Sequence, residues 1–481
     1  MRLTSNIVIL FFAICSSISS LQAQDCSCAD AFETTVETYE KNYSLFRYKV
    51  TENNLAIYNA FTEVMREKAK QSEGLKECKI VLDQWLGFFR DGHNSIKLVI
   101  KDEQEFERIQ VTEQQFKVNY TELGDHKDDV LGIWKWREYT VAIMPAPESD
   151  KRARDFVGVL LESTNKAWKP SDVIMELTKK QADEFDISFF MPDHSEIVLT
   201  GSKTSAGQLN IKGVGNWQKS WPGVEMSENS KLFHTFHIRM IDDIPYVRFP
   251  DFNVNPEDVK RAISANHEQL MNAEIIVVDL RDNGGGSDYA YFPILPYVLS
   301  GPIEMPHVGM WMSEDNLQPY LHEQVGKGKN PEDLTQKEKE NYDWLMSYED
   351  SLFYQKPGEY AYTYEADTLY KGPKKVAVLM NENSGSSAET FIFRAKQSDR
   401  VIFYGQNSAG VVDGFMVFSK NIGCFELSYP HAVRAKDVAD NPIDPYGFEP
   451  DVYLDKNVDA LEFSIKHMKQ LIKNRATEVN K

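Results

Sequence analysis

Apolar positions change their spacing along this chain, and each change predicts a different kind of element. From Ala29 to Phe89 they recur every three or four residues. Phe32, Val36, Tyr39 and Tyr43 make one stripe, and Leu55, Tyr58, Phe61 and Met65 a second, which predicts three helices ending at Gly87–Gly92. From about Leu131 to Leu209 the pattern turns to short alternating runs between polar turns: Tyr139–Met144, Phe156–Leu161, Asp172–Leu177, Phe185–Phe190 and Glu196–Thr200. That spacing predicts a small β-barrel or sandwich. Beyond His234, strand and helix alternate. Asp243–Phe249 reads as a strand, and Asn255-Pro256-Glu257-Asp258 starts a helix carrying Val259, Ile263 and Leu270 on one side. The segments 274–286 and 376–391 each read as a buried strand running into a turn and a helix. Between them lies a polar stretch, 313–358, expected to form helices over or beside the active face as a candidate lid. Val458, Leu461, Ile465, Met468 and Ile472 place a last amphipathic helix at the end.

The predicted division is an export signal at 1–23, a helical domain at 24–100, a small β domain at 125–235, an α/β core at 236–456 with the helical insert 313–358, and a final helix at 457–481. A chain of 481 residues exceeds one comfortable core, so more than one domain is expected. Arg2, the apolar run Ile7–Ile14 and Gln22-Ala23-Gln24 have the order of a signal peptide cut after Ala23, which predicts a periplasmic or extracellular protein. That run is too short for a stable membrane span, and no later segment reaches the ~20 apolar residues one requires. The formal net charge of -20 offers no field for nucleic acid or anionic lipid.

Export would put Cys26, Cys28, Cys78 and Cys424 in a compartment that permits disulfides, with all three connectivities open. Cys78 shares an apolar helix face with Leu75, Leu82 and Phe89 and reads as a core thiol. Nothing completes a metal site around Cys26 and Cys28, and His234 and His237 lack a third ligand, so neither metal nor cofactor is expected.

The candidate chemistry sits in the two strand–turn–helix units. The first turn ends in Gly284-Gly285-Gly286, where backbone N–H groups can approach a ligand. The second presents Ser384, Ser386 and Ser387 at a helix N-terminus, which stabilises negative charge. A hydroxyl beside exposed backbone donors suits acyl transfer. The hydroxyl also needs a base, and His93, in a glycine-containing turn just past an aromatic helix end, is the candidate.

Asp279-Leu-Arg-Asp-Asn-Gly-Gly-Gly286 and Ser384-Gly-Ser-Ser-Ala-Glu389 resemble the two core motifs of the tail-specific, or C-terminal processing, peptidases. Tyr246–Phe252, Gly405–Val411, Gly447-Phe-Glu-Pro-Asp451 and Asp91-Gly-His-Asn-Ser95 resemble further landmarks of that family, in the family's order. The resemblance implies a crotonase/ClpP-like β/β/α core and a serine peptidase acting on proteins or peptides. It makes Ser386, three residues before Glu389, the nucleophile. One branch uses a lysine where this chain has Val411, so the chain is closer to the histidine-using branch of the tricorn core and retinoid-binding repeats. That branch implies His93 as base and Asp444, in place of the usual glutamate, as the acidic member; its serine before the histidine is here Gly92. The N–H groups of Ser387 and of Gly284 or Gly285 would hold the oxyanion. Asp282 and Asn283 are expected to shape the turn, and Asp279 to end the strand and brace the Arg281 loop. The alternatives are an inactive peptide-binding protein of the same fold and an esterase using the same serine. Oligomeric state is not encoded in any of these patterns.

Overall fold

The computed structural model describes residues 27–479 except for 99–106, 125–127, 148–153, 182, 192–195, 206, 212–213, 224–234, 327–328, 330, 355 and 357. The predicted export segment and Cys26 lie outside the described residues.

The site is built on a sheet of six strands in the order 237–241, 244–248, 275–279, 375–380, 401–405, 452–453. The first pair is a tight antiparallel hairpin; every other neighbour is parallel. Parallel strands need crossovers and cover on both faces, which explains the near-continuous apolar runs Ile275–Val278 and Val376–Met380. Alternation divides these runs. Ile276, Val278, Val376, Val378 and Met380 face the helices Pro256–Ala265 and Ser387–Ala395. Ile275, Val277, Ala377 and Leu379 face the C-terminal helix Ala460–Val479 through Ala460 and Met468.

The N-terminal part forms helices at Cys28–Asn42, Phe46–Lys49, Leu55–Gln71 and Leu75–Leu86, one short turn more than the periodicity predicts. Their aromatic faces (Phe32, Tyr39, Tyr43, Tyr58, Trp85 and Phe89) pack together and onto Leu427, Tyr429 and Val433 of the strand Phe425–Val433. Cys78 is not a free core thiol: it is bonded to Cys28, tying the first and last of these helices across 50 residues. The periodicity placed it on the right face but carried no information about its partner. Cys424 is disulfide-bonded as well.

A second, five-stranded sheet joins this helical part to the core. Its long strand Phe425–Val433 pairs antiparallel with Ser95–Leu98 on one edge and with Gly414–Asn421 on the other, register Ser95↔Ser428 and Ser419↔Ser428. The β region closes into a barrel of eight strands running from Gly132 to Trp221, resolving the choice between barrel and sandwich. The strands Gly132–Trp136, Gln208–Ile211 and Gly215–Trp221 complete it. Trp134, Val141, Leu160, Leu177, Ile187 and Trp217 fill the interior. The polar insert does form helices, Glu314–Val325 and Gln336–Met346. Ser313, Asp315 and Asn316 bond to Asn42 at the end of the first helix, which anchors the insert there. Among the described residues no helix is long and apolar enough to cross a membrane.

Candidate active site

The strand Lys375–Met380 delivers its chain to Asn381 and then to the helix Ser387–Ala395. The three serines in between differ sharply in environment. Ser384 is fully buried; its hydroxyl donates to Leu280 O at 2.8 Å and accepts from Asn381 N–H at 3.0 Å. Ser387 donates to Gly286 O at 2.7 Å, tying the helix to the glycine turn. Ser386 occupies the N-cap position with φ 54 and ψ -119, a backbone conformation rarely adopted by a residue with a side chain. Its Oγ is 3.2 Å from His93 Nε2.

Glu389 holds that conformation. It is fully buried and accepts four hydrogen bonds. Oε1 takes Ser408 Oγ–H (2.6 Å) and Gly410 N–H (2.8 Å), while Oε2 takes Val411 N–H (2.9 Å) and Ser386 N–H (3.1 Å). Burial pushes its carboxyl up, and those bonds pull it back. One carboxylate thus locks the Ser386 turn to the 405–411 loop.

His93 arrives from the opposite end of the chain. The pairing of Ser95–Leu98 with Phe425–Val433 fixes the turn before it. Asp91 shapes that turn: its Oδ1 accepts the His93 N–H at 2.9 Å and stands 3.8 Å from His93 Nδ1, while Oδ2 accepts the Tyr43 hydroxyl at 2.6 Å. Gly92 is needed because a Cβ there would come within 2.4 Å of Val411 Cγ1. Val411 is therefore part of the wall behind the histidine turn.

Asp444 is buried near these groups without bonding to His93. Its Oδ1 accepts Val412 N–H (2.7 Å) and Asp413 N–H (3.1 Å); Oδ2, like His93 Nδ1, has no hydrogen-bond partner among the described residues. Burial, then the carboxylates of Asp413 and Asp91, push Asp444 up to about 8. The carboxylate nearest His93 Nδ1 is that of Asp91, which the sequence reading passed over although it stands two residues before the histidine.

The glycine turn lies against the serine. Gly285, at φ 103, has no room for a Cβ, which would sit 2.8 Å from Ser386 Cβ and 2.9 Å from Ser387 N. Its N–H is not a free donor: it is spent on Asn283 Oδ1 at 2.9 Å, which removes Gly285 from the expected oxyanion donors. The N–H groups of Gly284 and Ser387 donate to no group among the described residues. Asp282, at φ 59, is held by Asn381 and Asn383 on Oδ1 and by Asn216 of the barrel on Oδ2. The barrel therefore touches the loop that carries Gly284.

Below the turn, Asp279 accepts Arg281 N–H at 3.0 Å and the Tyr246 hydroxyl at 2.7 Å, as well as the Arg281 guanidinium. It is fully buried, yet Arg281 and Arg248 draw it down to about 2 against the penalty of burial. The expected brace on the Arg281 loop is present. Among the described residues no group of three or more His, Cys, Asp or Glu side chains could hold a metal ion.

No curated protein matches the chain. Among solved structures it resembles mature CPAF complexed with lactacystin (13% identity, TM-score 0.48, covering 94% of this chain and 99% of that one). It also resembles the photosystem II D1 C-terminal processing protease (13%, 0.38, 89% and 94%) and the tricorn protease (13%, 0.40, 93% and 37%). Residues 243–454 match the family model of Peptidase family S41. That stretch supplies Ser386, Glu389 and the glycine turn, so the chain carries a Peptidase family S41 domain and is a serine-type peptidase.

Proposed function

We propose that the chain is an exported endopeptidase that cleaves proteins through an acyl-enzyme, with Ser386 as nucleophile and His93 as base. The observation that carries this reading is the 3.2 Å separation of His93 Nε2 from Ser386 Oγ, two atoms 293 residues apart in sequence. The strained Ser386 backbone supports it, since a helix N-cap has no need of such strain. His93 takes the hydroxyl proton as Oγ attacks the peptide carbonyl, then gives it to the leaving amine. A water molecule repeats the sequence to release the acyl group. The developing oxyanion lies between the N–H groups of Ser387 and Gly284, each such donor being typically worth roughly 3 kcal/mol of barrier.

Asp91 and Asp444 are positioning residues in this scheme. Asp91 fixes the His93 turn through its backbone and puts negative charge beside the imidazolium at Nδ1. Asp444 is neutral near pH 7 and holds the Val412–Asp413 loop behind them. Val411 in the lysine position favours the histidine-using branch over a serine–lysine dyad. The core is then of the crotonase/ClpP type, with the barrel and helical part as additions. The Cys28–Cys78 disulfide favours an oxidising compartment, periplasmic or extracellular.

A fluorophosphonate probe applied to the full chain tests the nucleophile. It should label Ser386, and Ser386→Ala should abolish both labelling and cleavage of an unfolded protein while preserving the fold. His93→Ala should leave under a few per cent of activity. Labelling of another residue would overturn the assignment of Ser386, and near-normal activity in the histidine variant would point to a different base.

A further inference from the structure

A recess lies one helical turn from the proposed nucleophile. One wall is the first turn of the nucleophile helix, where Thr390 donates its N–H to Ser386 O at 3.1 Å. Another is Val412, next to the Val411 whose N–H shares Glu389 with Ser386. A third begins at Asp288, two residues beyond the Gly286 carbonyl that anchors Ser387. The recess therefore begins one helical turn from Ser386, which does not itself line it.

The lining determines what fits. Met305, Val308, Tyr362, Phe393, Phe415 and Phe448 give it an apolar body rich in aromatic rings. Its charged members are already matched. Asp288 pairs with Arg394 at 3.1 Å and accepts the Thr390 hydroxyl at 2.7 Å, and Arg434 pairs with Asp413 at 2.8 Å. A charged side chain entering here would lose its hydration and meet no free counter-charge. A small one would leave the rings uncovered. An aromatic side chain buries the most apolar area and can lie edge-to-face on these rings.

We propose that this recess receives the side chain preceding the scissile bond and selects a large aromatic one, an inference that rests on Ser386 being the nucleophile. Internally quenched peptides differing only at that residue test it on the full chain. Cleavage after Phe should exceed cleavage after Ala by about tenfold or more in kcat/KM, and cleavage after Lys or Glu by about a hundredfold. Val308→Trp, which fills the recess, should cut the Phe peptide about tenfold and leave the Ala peptide within about twofold. Should that variant fold poorly by circular dichroism, Phe415→Ala, which enlarges the recess, should instead raise Trp relative to Phe. Throughout, a small fluorophosphonate should label Ser386 at the wild-type rate. Equal rates after Phe and Lys, or a uniform loss on all peptides with labelling intact, would overturn the recess assignment alone. Failure of the wild type to label at Ser386 would overturn the recess and the catalytic reading together.

Discussion

Asp444→Asn separates charge from hydrogen bonding in the group behind His93. Asp444 is 5% exposed and its carboxyl is pushed up to about 8 from the model-compound value of 3.8. The folded protein therefore binds a proton that the unfolded chain releases between those values. For a carboxyl raised in the folded state the sign is a loss: its contribution is largest below about pH 4 and falls through the window from pH 4 to pH 8. The slope is about 1.4 kcal/mol per pH unit, so the full window is worth on the order of 5 kcal/mol. Asparagine keeps an oxygen to accept Val412 and Asp413 N–H and has no proton to lose. Near pH 4 the two proteins should melt together. At pH 9 the variant should be the more stable, by roughly 10 °C if each kcal/mol moves Tm about 2 °C in a chain of this size. Thermal denaturation of both proteins at matched ionic strength from pH 4 to pH 9 measures the difference directly. A difference that does not grow with pH, or a variant less stable throughout, would refute a neutral buried Asp444. Activity provides an independent check. At pH 7 the variant should retain most of its kcat, whereas a carboxylate needed to hold the imidazolium would make the substitution cost orders of magnitude.

Glu389→Gln should destabilise the chain by about 1–3 kcal/mol and lower kcat, because either orientation of the amide leaves at least one backbone N–H of Ser386, Gly410 or Val411 facing an NH2 group. Denaturant titration measures the first and steady-state kinetics the second; unchanged values of both would remove Glu389 as the lock of the serine turn. Asn216→Leu removes the hydrogen bond from the barrel to Asp282 and should lower kcat several-fold with KM nearly unchanged, while lowering stability by about 1 kcal/mol because the buried Asn210 amide also loses its partner. Equal kcat in the variant would show that the barrel touches this loop without positioning it.

What could be read from the sequence was local. The parallel strands announce themselves as apolar runs, and the two turns by glycine and serine at fixed offsets, because those signals depend on near neighbours. The resemblance to the peptidase motif singled out Ser386 from Ser384 and Ser387 as the serine three residues before Glu389, and that carboxylate does hold its N–H. What escaped was set by pairing across the chain. The barrel strand Gln208–Ile211 alternates over only four residues, and Gly215–Trp221 is mostly polar, so each offers too few alternating apolar positions to register as a strand. The Cys28–Cys78 bond depends on how two helices pack. Gly285 looked like a donor because its neighbours are glycines, but Asn283 Oδ1 claims its N–H, a contact set by how the turn closes. Asp91 escaped for a related reason: it reads as a turn former, and its second role exists only once Tyr43 and His93 are brought to it.

The two departures from the peptidase pattern, Gly92 before the histidine and Val411 in the lysine position, would weaken the case for catalysis if they were separate losses. They are one packing arrangement. Val411 Cγ1 fills the space that a side chain at 92 would need, and Val411 Cγ2 would lie 3.0 Å from a Cβ at position 385, beside the proposed nucleophile. A larger residue at 411 would press on both the histidine turn and the serine turn, and a serine at 92 would collide with the valine. Val411 is also fixed by its backbone, whose N–H is bound to the Glu389 carboxylate that holds Ser386. A decayed site would be expected to relax such coupled constraints, beginning with the strained φ of 54 at Ser386 and the four donors gathered on one buried carboxylate. Their joint presence around Ser386 is what the proposed assignment of His93 as its base requires.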